Sequence, residues 1–178
     1  MEAHCETEII TRVKAGNTSD FEHLVRCYQG PLFRIVGNLV DGSMVEDLVQ
    51  DVFLAAFEQI QGFDPQRGTF RSWIYRIARN RALNARKKKH EQLMADMPNI
   101  ADQRTPCQDL LVKEAFDLLD HALGEISFQD RVIFVLAELE GLSYMEIAHI
   151  EELALGTVKS RLARTRMKLR NALQPYVN

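Results

Sequence analysis

Apolar residues along the chain recur at intervals of three and four, without sustained alternation at two, and this spacing predicts helices throughout. Ile9, Ile10 and Val13 begin a first helix that Gly16 and Asn17 end. Asp20 opens a second, on which Phe21, Leu24, Val25 and Tyr28 share a face. Pro31 suits a first helical turn, so another helix is expected there, with a stripe of Leu32, Ile35, Val36 and Leu39 closed by Asp41-Gly42-Ser43. The stretch "VEDLVQDVFLAAFEQI" is strongly amphipathic, with acidic groups on its outer side, and the loop "QGFDPQRGT" follows it. From Phe70 a helix buries Trp73, Ile74, Ile77 and Ala78 and turns Arg76, Asn80, Asn84 and Lys87 the other way, fading at "RKKKHE".

The pattern then lapses. "DMPNIADQRTPCQ" holds two prolines and little periodicity, the composition of a linker. Helical spacing resumes with Leu110, Leu111, Ala115, Leu118, Leu119 and Leu123, and again through Val132, Ile133, Val135, Leu136 and Leu139 until Gly141. Ser143 and Glu146 have the S-x-x-E spacing of a capping box, which starts a short helix at Tyr144. A break near residues 153–156 separates it from a cationic helix, and two short helices joined by a tight turn make a helix-turn-helix. The expected fold is all-α: two small helical domains, 1–95 and 110–178, joined by a flexible linker at 96–109.

On a wheel of 100° per residue, Val158, Leu162, Leu169 and Leu173 of the last helix cluster within about 60° and face a core. Lys159, Ser160, Ala163, Arg164 and Met167 lie opposite, a division that lets the helix enter a major groove. Charge sharpens this picture. The stretch "GTVKSRLARTRMKL" carries five cations and no carboxylate, and residues 65–90 carry nine cations and no carboxylate, in a chain whose net charge is -3. Segregation of this kind marks basic patches for a polyanion and acidic surfaces for other partners. In the first basic window the cations are interleaved with Phe70, Trp73 and Tyr75, and aromatics so placed can stack unpaired bases. Trp73, at core spacing with Ile77, reads as structural, which leaves Arg76, Asn80 and Asn84 as the exposed functional row.

Composition narrows the rest. No apolar run approaches the roughly 20 residues that span a bilayer, and the N-terminus lacks the layout of a secretory signal, so no membrane insertion and a cytoplasmic location are expected. Cys5, Cys27 and Cys107 form no C-x-x-C pair and predict neither a disulfide framework nor a zinc site. Glu146 and His149 have the E-x-x-H spacing of a di-iron ligand pair, but no second copy exists and the capping box already accounts for Glu146, so no metal or other cofactor is expected. H-E-x-x-H, phosphate-binding loop and nucleophile-elbow motifs are all missing, and the chain does not read as an enzyme.

Three stretches, "EDLVQDVFLAAFEQIQGF", "FRSWIYRIARNRALNARKK" and "EGLSYMEIAHIEELALGTVKSRLARTRMKL", together resemble the extracytoplasmic-function sigma factors of bacterial RNA polymerase, in the right order and over nearly the whole chain. The resemblance implies a promoter-specificity subunit. Its first domain, region 2, would bind core polymerase and open the minus-10 element; its second, region 4, would bind the minus-35 duplex, with a linker in place of region 3. Asp47, Leu48, Gln50 and Asp51 match the family's core-binding helix, which meets the clamp helices of the largest subunit. The loop at residues 62–69 and the helix after it would capture a flipped base and the non-template strand, which implicates Phe63, Arg67, Arg76, Asn80, Asn84 and Lys87. At the minus-35 element Lys159, Ser160, Ala163 and Arg164 fall at base-reading positions, with Tyr144, Thr157 and Arg161 beside them. The implied partners are core polymerase, including the flap of its second-largest subunit, promoter DNA and an anti-sigma factor.

One departure stands out. Relatives commonly read "LGVPVGTVKSR" where this chain reads "EELALGTVKSR", so Glu152 replaces the turn glycine and Ala154 the proline. A non-glycine residue at positive φ is strained, and Glu151-Glu152 brings negative charge toward DNA phosphate. The rival reading is a stand-alone helix-turn-helix regulator, which would leave the acidic row and aromatic-basic helix of the first domain without a role.

Overall fold

The computed structural model describes residues 3–95 and 126–174. The chain is all-α, and no strand occurs among the described residues. It divides into two compact units, Met1–Lys88 and Lys89–Asn178. The expected linker at 96–109 and the helical stretch from Leu110 to Leu123 lie outside the described residues.

The first unit is built from α1 (Ala3–Lys14), α2 (Phe21–Gly37), α3 (Val45–Gln59) and the greater part of α4 (Phe70–Ala95). Gly16, at φ +104°, ends α1 as the sequence predicts. Its N–H bonds the carbonyl of Val13 and that of Asn17 bonds Arg12, both at 3.0 Å, the paired bonds of a left-handed helix stop. Asp20 precedes α2 but does not cap it with its side chain; the carboxylate instead meets Arg12 Nε at 2.8 Å and ties the turn to α1.

Pro31 does not begin a helix, contrary to the sequence expectation, but lies inside an unbroken α2. An internal proline costs about 3 kcal/mol. Burying Leu32, Ile35 and Val36 on the stripe that already holds Phe21, Leu24 and Tyr28 gives about 1.5–3 kcal/mol for each side chain, and burial wins. The four helices enclose Ile9, Ile10, Val13, Val49, Val52 and Ala56, with Ile74, Ala78 and Ala82 of α4 fully enclosed. Tyr28 links three helices at once. Its ring meets Phe70 and Tyr75 edge-on at 5.4 and 6.2 Å, and its hydroxyl donates to Glu6 Oε1 of α1 at 2.5 Å. Burial, then that hydrogen bond, raises its pKa far above the ordinary tyrosine range and keeps the phenol a donor. The α4 helix also outlasts its expected end, because Arg and Lys are good helix formers and the next proline is Pro98.

The second unit contains α5 (Phe128–Phe134), α6 (Tyr144–Glu151) and α7 (Leu155–Leu173). Ser127 caps α5 by accepting the Asp130 N–H at 3.2 Å. The helix then widens into a π turn, Val135–Leu139, where Glu140 N–H reaches back five residues to Val135 at 3.2 Å. The looser winding carries Leu139 off the stripe of Val132, Val135 and Leu136, and it is exposed where the sequence predicts a core residue. Gly141, at φ +63°, turns the chain. The predicted capping box is present: Ser143 Oγ accepts the Glu146 N–H at 3.2 Å and Glu146 Oε2 accepts the Ser143 N–H at 2.9 Å. The break before the cationic helix is shorter than expected, because α7 starts at Leu155 and takes Gly156 into its first turn.

Candidate functional site

On α3, Asp47, Gln50 and Asp51 stand exposed on the outer face. Leu48 does not join them. It is buried on the core stripe with Val52 and Ala55, three and four residues apart, and supports the row from beneath. In its place the face presents Leu54, 57% exposed, between Asp51 and the exposed Glu58. Sequence reading missed Leu54, although its spacing of three from Asp51 and seven from Asp47 gives the signal. An acidic face with an apolar centre fits a partner surface that is basic with an apolar contact point.

The loop between α3 and α4 is tightly organised. Asp64 Oδ1 accepts the Gln66 N–H at 2.9 Å, and the Arg67 N–H bonds the Asp64 carbonyl at 3.1 Å, a local turn that leaves Gln66 and Arg67 at the exposed tip. At the far root Thr69 Oγ1 accepts the Ser72 N–H at 3.1 Å as α4 begins. Phe63, predicted to touch DNA, is buried, its ring packed against Phe70 at 5.5 Å and Trp73 at 5.4 Å. A ring held in an aromatic cluster is no stacking platform, so Phe63 anchors the loop rather than meeting a base. Phe70 and Tyr75 are enclosed as well, while Trp73 is half-buried against Phe63 and Phe70.

Along α4, Asn80, Asn84 and Lys87 are exposed and Arg76 is half-buried, which preserves the row read from the sequence. Arg79 Nη1 donates to Asn80 Oδ1 at 3.0 Å and thereby orients the amide.

In the second unit the wheel prediction holds side chain by side chain. Val158, Leu162 and Leu169 are buried, while Lys159, Ser160, Ala163, Arg164 and Met167 are exposed. Thr165 shares the buried stripe, seven residues from Val158, though its polarity hid it in the sequence. The side chain of Leu173 is outside the described residues.

Two cations of this helix are committed elsewhere. Arg161 reaches Gln129 Oε1 at 2.6 Å and Asp130 Oδ1 at 3.4 Å, half-buried against α5, so it braces α7 instead of standing on its outward face. Arg166 binds Glu138 Oε1 through Nε at 2.8 Å and Nη2 at 2.6 Å, and Nη2 also meets the Tyr144 hydroxyl at 3.4 Å. Those contacts, Glu138 first, raise its pKa further. Thr157 and Tyr144 are both partly exposed. The turn between α6 and α7 is three residues long, with Glu152 at φ 55°, ψ 43°, the left-handed conformation expected from the departure at that position. Leu153 N–H closes the turn on the Ala148 carbonyl at 3.0 Å.

The described residues contain no group of three or more metal-ligating side chains, and none of their helices is long and apolar enough to cross a membrane. Residues 24–92 match the family described as Sigma-70 region 2, and residues 116–169 match Sigma-70, region 4. The ECF RNA polymerase sigma-E factor of Haemophilus influenzae is 31% identical over 181 residues, covering 95% of each chain. Among solved structures, the sigma factor RpoE from Bartonella quintana, in complex with the anti-sigma factor NepR, superposes with a TM-score of 0.74 at 25% identity, covering 87% of this chain and 97% of that one. CnrH, in complex with the cytosolic domain of CnrY, superposes with a TM-score of 0.71 at 25% identity, covering 94% of this chain and 96% of that one.

Proposed function

This chain belongs to the ECF sigma factors of bacterial RNA polymerase, and from that premise we propose how its surfaces divide the work of starting transcription. The face of Asp47, Gln50, Asp51 and Leu54 on α3 docks on the clamp helices of the largest polymerase subunit, where acidic complementarity sets register and Leu54 fills an apolar site. The loop at residues 62–69, with Arg67 at its tip, and the α4 row of Arg76, Asn80, Asn84 and Lys87 hold the opened minus-10 strand. Flipping a base costs a few kcal/mol, and a pocket that accepts the base offsets that cost without nucleotide hydrolysis. Lys159, Ser160, Ala163 and Arg164 read minus-35 base edges, with Tyr144 and Thr157 at the border.

The observation that carries this reading is the division of α7, whose buried stripe of Val158, Leu162, Thr165 and Leu169 leaves Lys159, Ser160, Ala163 and Arg164 together on the outward face, with Met167 beyond them. Region 4 meets the flap of the second-largest subunit, and catalysis rests with the polymerase. The protein works in the cytoplasm, and an anti-sigma factor holds it inactive, a partnership like that of the Bartonella protein with NepR. A stand-alone regulator is not favoured, since region 2 is present as a folded unit alongside the helix-turn-helix.

Run-off transcription with core polymerase on a library randomised at both elements tests the proposal. Selection of a two-part promoter only when core and this chain are both present is the expected result. Sequence-selective duplex binding without polymerase, together with no effect on core, would overturn it.

A further inference from the structure

The minus-10 loop is fastened at its near root by a residue far away in the chain. Lys14, the last residue of α1, directs its ammonium at two loop-root carbonyls on either side of Gly62, that of Gln61 at 3.3 Å and that of Phe63 at 2.5 Å. The same ammonium lies 5.8 Å from the centroid of the Phe63 ring. The tie runs both ways, because Gln61 Nε2 donates to the Lys14 carbonyl at 3.0 Å. The α1 helix is itself held, by Glu6 on Tyr28 and by Arg12 on Asp20, so Lys14 projects from a fixed support. Lys14 lies before residues 24–92, the stretch that matches region 2, so the family match assigns it nothing.

We propose that Lys14 is a positioning residue for minus-10 recognition: by clamping the Gln61 and Phe63 carbonyls it sets the angle at which the loop at residues 62–69 leaves the helical core. This rests on the reading of that loop as the minus-10 reader. The physical need is plain, because groups that discriminate bases must be held within a fraction of an ångström, and ordering them beforehand avoids an entropy cost at binding. The far root is secured locally by Thr69 and Ser72, and the middle by the Asp64 turn. The near root has the Phe63 ring packing, which fixes the side chain, and the Lys14 clamp, which fixes the backbone.

The test uses the full-length chain assembled with core polymerase and a set of promoters carrying each base at every minus-10 position. Lys14→Met keeps the aliphatic stem and removes the charged donor; Gln61→Ala, at an exposed position, removes the reciprocal bond and serves if the first variant folds poorly. Lys14→Arg restores a cationic donor. Lys14→Met is expected to lower discrimination at one or two minus-10 positions about five- to tenfold, part of what a good base contact is worth, while affinity for core is unchanged. Gln61→Ala should show a smaller loss at the same positions, and Lys14→Arg should recover most of it. A uniform fall on all templates with their ranking intact would mean that Lys14 merely fastens α1, and would overturn the inference. The tip variants Gln66→Ala and Arg67→Ala separate the two ideas. If they flatten discrimination and Lys14→Met does not, the loop reads DNA but Lys14 does not position it; if they too leave the ranking untouched, the assignment of the loop itself fails.

Discussion

Glu152 is the one non-glycine residue at positive φ among the described residues, and replacing it with glycine should stabilise the helix-turn-helix. An L-residue in the left-handed region costs about 1–2 kcal/mol, because its Cβ approaches the following carbonyl. Glycine escapes that clash but gives up about 0.5–1 kcal/mol more conformational entropy on folding. The difference leaves Glu152→Gly more stable by about 0.5–1 kcal/mol. Removing the carboxylate also alters local electrostatics, so the comparison is with Glu152→Gln, which loses the charge and keeps the strain. Native-state hydrogen exchange on the full-length protein gives the readout, followed at the amides of Val158 and Leu162, which lie in α7 just past the turn. If those amides exchange by opening of the unit, they should exchange about two- to fivefold more slowly in Glu152→Gly than in Glu152→Gln. Equal or faster exchange in the glycine variant would show that the turn stores no strain.

Charge reversal by Asp51→Lys should weaken binding to core polymerase about tenfold in a fluorescence anisotropy titration, and unchanged affinity would remove α3 from the docking surface. Substituting Asn80 and Asn84 together by Ala should lower transcription from a duplex promoter more than from a pre-melted one; equal losses would argue for positioning over strand capture. Arg164→Ala should relax base preference at one minus-35 position, worth about 1–3 kcal/mol of discrimination, whereas Arg166→Ala should leave the ranking of minus-35 templates intact and instead loosen α7 from Glu138. Selection from randomised templates in holoenzyme distinguishes the two arginines, and a changed ranking for Arg166→Ala would contradict its assignment to the ion pair with Glu138.

What the sequence made legible was the content of single helices. The α7 wheel separates Val158, Leu162 and Leu169 from Lys159 and Arg164 because amphipathicity is local and 3.6-periodic. The capping box and the strained Glu152 are equally local, each legible within a few residues. Other positions read differently once packed, for separate reasons. Leu48 was assigned to the docking row by motif, although its spacing with Val52 and Ala55 places it inward. Arg161 is expected among the minus-35 contacts and Arg166 is one of the five cations of its window, yet their acceptors, Asp130 and Glu138, lie 31 and 28 residues away, and nothing in a window of charges shows that pairing. Phe63, which the resemblance places among the minus-10 contacts, is instead enclosed by Phe70 and Trp73. Pro31 and the π turn belong to a further class, in which packing over a whole face overrides a residue's own preference.

The ion pairs of Arg161 and Arg166 also bear on where an unassembled molecule spends its time. Each phosphate contact forgone releases one fewer condensed counterion and removes about 0.9 from the slope of log affinity against log salt. With those two arginines paired to Asp130 and Glu138, α7 keeps Lys159, Arg164, Lys168 and Arg170 as its other exposed cations. Against about 10⁶–10⁹ non-specific genomic sites, a strongly cationic helix would be titrated away from its targets. A weak grip leaves promoter occupancy to tethering: once core polymerase holds the other unit, the second engagement becomes intramolecular, at an effective concentration that no dissolved copy reaches. On the proposed function, promoter selection would then follow assembly, and the genome at large would not act as a sink for the unassembled chain.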